Sequence, residues 1–271
     1  MYMVHIIKSD GSEQEFLESK ILSSIERSGV PEEMRQKVLD HIHGVLFEGI
    51  TTSEIHNHIR EFLYTSHQPS LVVKYDLKHA IMNLGPTGYP FEDYIAKLLT
   101  HKGFSTQTRT IVRGKCVSHE IDVIATKDSK TTMVEAKFHN GTGITTDVHV
   151  ALYTQARFQD AKDHNKFDNV MLITNTRISA DAIAYGACMG MDVISWSYPD
   201  KNSLRDWIEN LALYPITALT ALTNSQKAQL MQHDIVLCQD LCKNPDALSL
   251  LALSAQQKEE IMAEAAFACA R

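Results

Sequence analysis

Two spacings of apolar residues alternate along the chain and predict where its helices and strands lie. Near the start, short extended runs flank Asp10-Gly11, a residue pair that favours a tight hairpin turn. Apolar residues at helical spacing follow, and they predict helices over residues 21–29, 31–45, 51–65 and 71–84. We therefore predict a small, mainly helical domain with an N-terminal β-hairpin over residues 1–85.

The middle of the chain combines both spacings. After a stretch rich in glycine and proline at 83–90, residues 89–104 carry a helical stripe, and three strand-like runs follow it. Two further helices then alternate with two strands. This order is typical of an α/β fold with a central mixed β-sheet flanked by helices, which we predict for residues 86–215. Residues 216–271 have the pattern of several short helices and are predicted to form a helical C-terminal domain.

Composition and charge exclude some classes of protein but do not identify the function. Hydrophobic residues make up 44% of the 271 residues, which argues against disorder, and a net charge of −7 leaves nucleic-acid contacts to local basic patches. Five cysteines at irregular spacing do not resemble a disulfide framework, so a reducing compartment is expected. Because no apolar run approaches the roughly 20 residues of a membrane span and the start lacks a signal-peptide pattern, we expect a cytoplasmic protein with no membrane partner.

Charged residues interrupt two of the strand-like runs in the middle part. Side chains two positions apart share a strand face, so Glu135 and Lys137 point the same way, and Asp122 meets them if the two strands pair. Neighbouring carboxylates repel each other, and a hard divalent cation relieves the repulsion by accepting their oxygens as ligands. Mg²⁺ or Mn²⁺ suits such a site, with water and a backbone carbonyl, that of Ala136, as further ligands.

The lysine has a separate task in such a site. Its ammonium group can orient or help deprotonate a water, or neutralise the charge that develops on a phosphate under attack. The combination predicts metal-assisted hydrolysis of a phosphodiester. The alternative is a buried salt bridge in which Lys137 pairs with Asp122 or Glu135.

The letters E-I-D and V-E-A-K on these two runs resemble the core motif of the PD-(D/E)XK nuclease superfamily. Residues 169–196 also resemble the later strand–helix–strand portion of its Mrr-like restriction endonuclease branch, and the resemblance covers residues 88–210. It implies roles for four side chains: metal binding by Asp122 and Glu135, catalysis by Lys137, and support of the metal or its waters by Glu92 on the preceding helix.

Polar residues on the neighbouring elements are further candidates. Members of the family often place a glutamine or a basic residue of the next helix near the scissile phosphate, which implies a catalytic role for Gln155. His149, Tyr153 and Arg157 form a polar stripe on another face of that helix, and a solvated helix face explains all of these residues equally well. Three basic residues before the motif are candidates for phosphate contacts or ordinary surface charge: Arg109, Arg113 and Lys115.

The N-terminal part resembles an ATP cone, a nucleotide-sensing module. The matching stretches are IIKSDGSEQEF, a following lysine, and GITTSEIHNHI at 49–59. The resemblance implies that Lys8, Lys20 and Thr52 contact ATP or dATP, and lysines suit polyphosphate as point charges. The alternative is a degenerate cone that serves only as a docking or oligomerisation surface.

Together these features predict a metal-dependent DNA endonuclease regulated by ATP or dATP, with a use in restriction or defence. Cleavage of both strands by a domain with one site implies a homodimer. Two alternatives stay open, namely a non-catalytic nucleotide sensor with a nuclease-like fold and an RNA nuclease. The C-terminal part is distantly similar to helix-hairpin-helix modules but lacks their hairpin glycine, so packing or protein interaction explains it as well.

Overall fold

A computed structural model describes residues 4–66, 70–141 and 143–270 of the protein. Its strands are β1 (His5–Ile7), β2 (Glu13–Glu15), β3 (Ser105–Arg113), β4 (Ser118–Lys127), β5 (Lys130–Lys137), β6 (Thr145–Thr146), β7 (Asn169–Thr174), β8 (Arg177–Ile178) and β9 (Asp192–Ile194). Its helices are α1 (Glu18–Arg27), α2 (Glu32–Val45), α3 (Thr52–Thr65), α4 (Ser70–Tyr75), α5 (Leu77–Met82), α6 (Tyr89–His101), α7 (Val148–Asn165), α8 (Ala180–Met189), α9 (Leu204–Leu211), α10 (Asn224–Gln232), α11 (Cys238–Lys243) and α12 (Ala255–Cys269).

The N-terminal part is a β-hairpin packed on helices. Strands β1 and β2 pair antiparallel, and Gly11 in their turn adopts a φ of +81°, a left-handed conformation that costs glycine little. Apolar residues of the hairpin and of α1 to α4 form one buried cluster, with Ile25, Ile42 and Ile59 at its centre. The predicted hairpin and the first three predicted helices are confirmed.

The fourth predicted helix, over 71–84, is wrong as a single element. The structure has two short helices, α4 and α5, separated at Asp76, whose φ of −89° and ψ of 18° depart from α-helical values. Apolar spacing continues across the break, because both short helices bury most of their residues. The pattern therefore could not show the interruption.

The central sheet has five strands in the order β3-β4-β5-β7-β9. Strands β3, β4 and β5 form an antiparallel meander, and β5, β7 and β9 run parallel. Helix α6 packs on one face and helices α7 and α8 on the other, each over its own apolar cluster. This arrangement confirms the predicted α/β fold with a mixed sheet flanked by helices.

The C-terminal helices share a core with the sheet. Residues of α9, α10, α11 and α12 belong to the same buried cluster as α6 and the strand side chains beneath it. The division at 85/86 and 215/216 stays a prediction, as does the likeness to helix-hairpin-helix modules. Within the described residues, no helix is both long and apolar enough to cross a membrane.

Candidate active site

Asp122 lies where the pairing of β4 with β5 ends. The last paired residues are Val123 and Val134, and beyond them Oδ2 of Asp122 accepts a hydrogen bond of 2.8 Å from the backbone N–H of Ala136. The carboxylate thus replaces the backbone partner that β4 no longer offers. Burial raises the pKa of Asp122, because the charged carboxylate is partly removed from water.

The side-chain alternation predicted for β4 breaks at the same point. Ile121 packs in the cluster under α7 and α8, whereas Val123 packs in the cluster under α6, although two-residue spacing predicts one face for both. On the neighbouring strand, Arg109 lies between the pairs Thr108↔Val123 and Thr110↔Ile121 and adopts a φ of +48°. A left-handed residue inside a strand redirects the chain, and such strain often occurs at functional sites.

Glu135 forms an ion pair with Arg157, a residue of the polar stripe of α7. Nη1 of Arg157 donates to Oε2 of Glu135, and Nη2 donates to the backbone carbonyl of Glu120. Both side chains are nearly buried, with 10% of Arg157 and 15% of Glu135 exposed. Burial and the charge of Asp122 raise the pKa of Glu135, and Arg157 opposes that shift.

Glu92 approaches from the first turn of α6. Its side chain is 12% exposed, its Oε2 makes no hydrogen bond, and Nη1 of Arg109 lies 3.6 Å from that oxygen. The same guanidinium lies 2.8 Å from Asp93. Burial and the charge of Asp122 raise the pKa of Glu92 to about 7. Arg109 therefore serves the acids of α6 rather than forming an ordinary surface charge.

Lys137 follows Glu135 on β5 and pairs through its backbone with Thr174 of β7. In the ranges that the structure describes, no carboxylate oxygen lies within 4.0 Å of its Nζ, and the ion pair at this site uses Arg157 instead. The alternative of a salt bridge through Lys137 is thus wrong. The ammonium group is left available for another partner.

Helix α7 buries Gln155 and Arg157, whereas the sequence also allowed a solvated helix face for both. Gln155 is 4% exposed, lies on the buried stripe with Ala151 and Phe158, and its Oε1 has no hydrogen-bond partner. Arg157 is 9% exposed, so a solvated face is wrong for both residues. It holds for His149, whose side chain is 76% exposed.

The three acids influence one another without forming a closed metal cage. Asp122 raises the pKa of Glu92 and of Glu135, which shows that the site concentrates negative charge. Their ligand oxygens are not all within 4.8 Å of one another, and Asp122 and Glu135 each bond another partner, the N–H of Ala136 and Arg157 respectively. Half-buried carboxylates with an unsatisfied oxygen on Glu92 fit a hard cation such as Mg²⁺ or Mn²⁺.

The predicted nucleotide residues of the N-terminal part are only partly brought together. Lys20 and Thr52 line one cavity of about 260 Å³, together with His56 and Tyr75. Nζ of Lys20 donates to Oε1 of Gln14 at 2.9 Å. The lining of that cavity does not include Lys8, whose backbone closes the hairpin turn.

From the sequence, Arg157 and Arg109 are predicted only as surface or phosphate-contacting residues. A signal for both existed, since three buried acids require cationic partners and the chain offers few on adjacent elements. Arg157 follows Gln155 by two residues, and Arg109 precedes Asp122 on the neighbouring strand. Their use depends on the rotation of α7 and on the irregular backbone at Arg109, which residue spacing does not give.

Three family models match successive parts of the chain. The model described as "ATP cone domain" matches residues 4–77, "Restriction endonuclease" matches 86–199, and "AF1548-like, C-terminal" matches 214–269. An uncharacterized protein of Archaeoglobus fulgidus is 38% identical over 172 residues, which are 63% of this chain and 97% of that protein. The crystal structure of AF1548, a protein of unknown function, has a TM-score of 0.59 and 36% identity and covers 66% of this chain and 97% of its own.

The fold and the grouping of acids beside Lys137 define a restriction-endonuclease-like α/β protein with an ATP cone at its N-terminus. The chain belongs to the Mrr-like restriction endonuclease family of the PD-(D/E)XK superfamily, in the group that includes the Archaeoglobus fulgidus relative. Both resemblances found in the sequence are thereby confirmed.

Proposed function

We propose that this protein is an endonuclease that hydrolyses DNA phosphodiester bonds with Mg²⁺ or Mn²⁺, and that ATP or dATP bound to the N-terminal domain regulates it. The observation that carries the proposal is the meeting of Asp122 and Glu135 at the end of the β4–β5 ladder, with Lys137 two residues beyond Glu135. A use in restriction or defence, a cytoplasmic location and a homodimer stay predictions.

Each residue of the site has a task in this reaction. Asp122, Glu135 and the carbonyl of Ala136 would hold the metal, which supplies charge neutralisation at the phosphate when bound. The ammonium group of Lys137, which has no carboxylate partner among the described residues, donates to the attacking water or to a phosphate oxygen and orients it.

Two further side chains complete the polar surroundings. The raised pKa of Glu92 leaves its carboxyl close to half-protonated near neutral pH, so it can accept a proton or a hydrogen bond from a nearby water. Gln155 carries a buried oxygen without a partner, which suits a hydrogen bond from a water. The two groups thus supply orientation rather than charge.

The test is incubation of the full chain with supercoiled plasmid, linear DNA and RNA of the same sequence, with Mg²⁺, with Mn²⁺, or with EDTA. We expect cleavage of DNA only when the divalent cation is present. Cleavage confined to RNA would favour the RNA nuclease. Absence of cleavage of every substrate, together with ATP or dATP binding in calorimetry, would replace the proposal with a non-catalytic nucleotide sensor.

Regulation is supported by a contact between the N-terminal hairpin and strand β8, which follows β7 and pairs with β6 in a separate two-stranded sheet. Oδ2 of Asp10 in the hairpin turn accepts from Nη1 of Arg177 at 2.9 Å, and hydrogen bonds from Ser12 and Arg177 hold the pKa of Asp10 below its usual range. Gly143 approaches so closely that an added Cβ would lie 2.5 Å from the carbonyl oxygen of Ser9.

The same contact continues toward Lys137. Arg177 begins β8, three residues after Thr174, and Thr174 is the backbone partner of Lys137. Between them, Asn175 exchanges two hydrogen bonds with the backbone of His139, at 2.9 and 2.7 Å. A nucleotide that moves the hairpin would therefore move the segment that positions the end of β5.

Arg177→Gln is expected to uncouple the two domains. Nucleotide binding and the cleavage rate without nucleotide should be retained, whereas the effect of ATP or dATP on cleavage should fall by roughly fivefold, the lower end of typical coupling between sites. Rates with and without nucleotide measure this effect. Arg35→Gln is the matched control, because Arg35 forms an ion pair with Glu26 inside the cone. An unchanged nucleotide effect in Arg177→Gln would rule out this contact as the route.

A further inference from the structure

Two histidines and an aspartate meet in the N-terminal domain, apart from the residues of the candidate active site. His56 lies on α3, Asp76 lies between α4 and α5, and His79 lies on α5. Oδ1 of Asp76 is 2.8 Å from Nδ1 of His79 and 3.5 Å from Nε2 of His56. Among the residues that the structure describes, this is the one group of three His, Cys, Asp or Glu side chains whose ligand atoms all lie within 4.8 Å of one another.

The fold holds these three side chains in place. The ring of His56 stacks on Tyr75 with centroids 4.7 Å apart and an interplanar angle of 17°. Asp76 stands where the predicted continuous helix is interrupted, with 18% of its side chain exposed. The geometry is therefore set by burial and stacking before any ligand arrives.

The donor set selects a class of metal ion. Two imidazole nitrogens and one carboxylate oxygen suit Zn²⁺ and similar transition-metal ions, whereas Mg²⁺ prefers oxygen ligands throughout. The two distances from Oδ1 of Asp76 to the ring nitrogens, 2.8 and 3.5 Å, are each short enough for a metal ion about 2 Å from both atoms of the pair. Arg60 lies 3.8 Å from Oδ2 of Asp76, the other oxygen, and so leaves Oδ1 facing the two rings.

We propose that His56, Asp76 and His79 bind Zn²⁺ or a similar divalent transition-metal ion, with a fourth coordination position open to the adjacent cavity. That cavity has a volume of about 160 Å³, and both imidazoles line it together with Thr52, Ser53 and Lys78. Three protein ligands and one open position are the arrangement of zinc sites that admit an exogenous ligand. The inference goes beyond the proposed nuclease function and does not depend on it.

The competing explanation is that Asp76 only anchors nearby cations. It contacts His56, Arg60 and His79, and the hydrogen bond that His79 donates to Asp76 raises the pKa of His79. Such an anchor explains the contacts of Asp76 but requires no metal. Metal titration of variants separates the two explanations.

The experiment uses the full chain carrying Asp122→Asn, stripped with EDTA and desalted, so that the candidate active site is weakened as a metal site. Zn²⁺ is titrated by calorimetry, and Co²⁺ is followed by its visible absorption as a spectroscopic substitute. We expect one equivalent to bind, with a loss of affinity of at least about 100-fold in His79→Ala and in Asp76→Asn, since even outer partners of metal ligands cost up to that much. His58→Ala, on the same helix as His56, should bind as the parent does.

Zn²⁺ should also raise the melting temperature of the parent and of His58→Ala but not that of Asp76→Asn. Circular dichroism identifies a variant that has not folded. If His79→Ala does not fold, Asp76→Asn, which keeps the shape of the side chain, tests the proposal by itself. Equal Zn²⁺ affinity in parent, His79→Ala and Asp76→Asn, or no binding by the parent, would overturn the proposal. Because the readout is binding in a protein without the Asp122 carboxylate, these results are independent of DNA cleavage.

Discussion

Asp122→Asn is expected to lower Mg²⁺-dependent DNA cleavage by roughly 100-fold or more, the effect of removing a group that stabilises charge in a transition state. The asparagine Oδ1 can still accept the hydrogen bond from the N–H of Ala136, so the backbone at the end of the β4–β5 ladder is preserved. What is lost is the negative charge that would hold the metal. Single-turnover cleavage of supercoiled plasmid, with Mn²⁺ binding measured in parallel, tests both consequences.

Glu120→Gln is the matched control for Asp122→Asn. Glu120 stands two residues earlier on β4, is exposed, and contributes its backbone carbonyl rather than its side chain to Arg157. Cleavage by this variant should match that of the parent protein. If Asp122→Asn cleaves at the parent rate while Glu120→Gln does too, the reaction does not use this cluster.

Lys137→Ala separates metal binding from cleavage, the two tasks of the proposed site. Because Lys137 is not a metal ligand in the proposed arrangement, this variant should bind Mn²⁺ as the parent does. Its cleavage should nevertheless fall by roughly as much as in Asp122→Asn. Joint loss of binding and cleavage in Lys137→Ala would show instead that the lysine stabilises the folded site.

Regular periodicity accounts for the parts of the fold that were predicted. Most strands and helices of the sheet domain have apolar patterns of one period, and their alternation predicts a mixed sheet flanked by helices. The break at Asp76 was missed because apolar spacing runs through it. Asp76 contacts His79 within the same segment, but it also contacts His56 of α3, which is far away in sequence. Contacts over such distances in sequence leave no local pattern.

The sequence predicts which acids and which lysine form the candidate site, but not how the fold brings them together. The sequence placed Asp122, Glu135 and Lys137 on one face by assuming an unbroken two-residue period, yet the period fails at Asp122, where Arg109 takes a left-handed conformation. The acids therefore meet because β4 turns and ends its pairing, not because the strand is regular. The partner of Glu135 also differs, since the rotation of α7 presents Arg157 to the sheet.

Arg157 and a bound metal ion would share the carboxylate of Glu135. Its guanidinium bonds one oxygen of Glu135, Oε2, and leaves the other for a metal ion. This pair neutralises a carboxylate that burial and Asp122 disfavour in its charged form. Removing one member of a nearly buried ion pair leaves an uncompensated charge, which is costly even though the pair itself contributes little against an apolar substitute.

Arg157→Met is accordingly expected to lower the free energy of unfolding by about 3 kcal/mol in EDTA, because Met retains the apolar stem and deletes only the charged head. Part of that loss comes from the hydrogen bond to the carbonyl of Glu120, and the double variant Arg157→Met/Glu135→Gln isolates the part due to the ion pair. Chemical denaturation of the parent, both single variants and the double variant gives the coupling energy. Mg²⁺ should stabilise Arg157→Met more than the parent, since a metal then replaces the guanidinium as the partner of Glu135. Equal stabilisation of both, with coupling near zero, would show that Arg157 and the metal do not compete for this carboxylate.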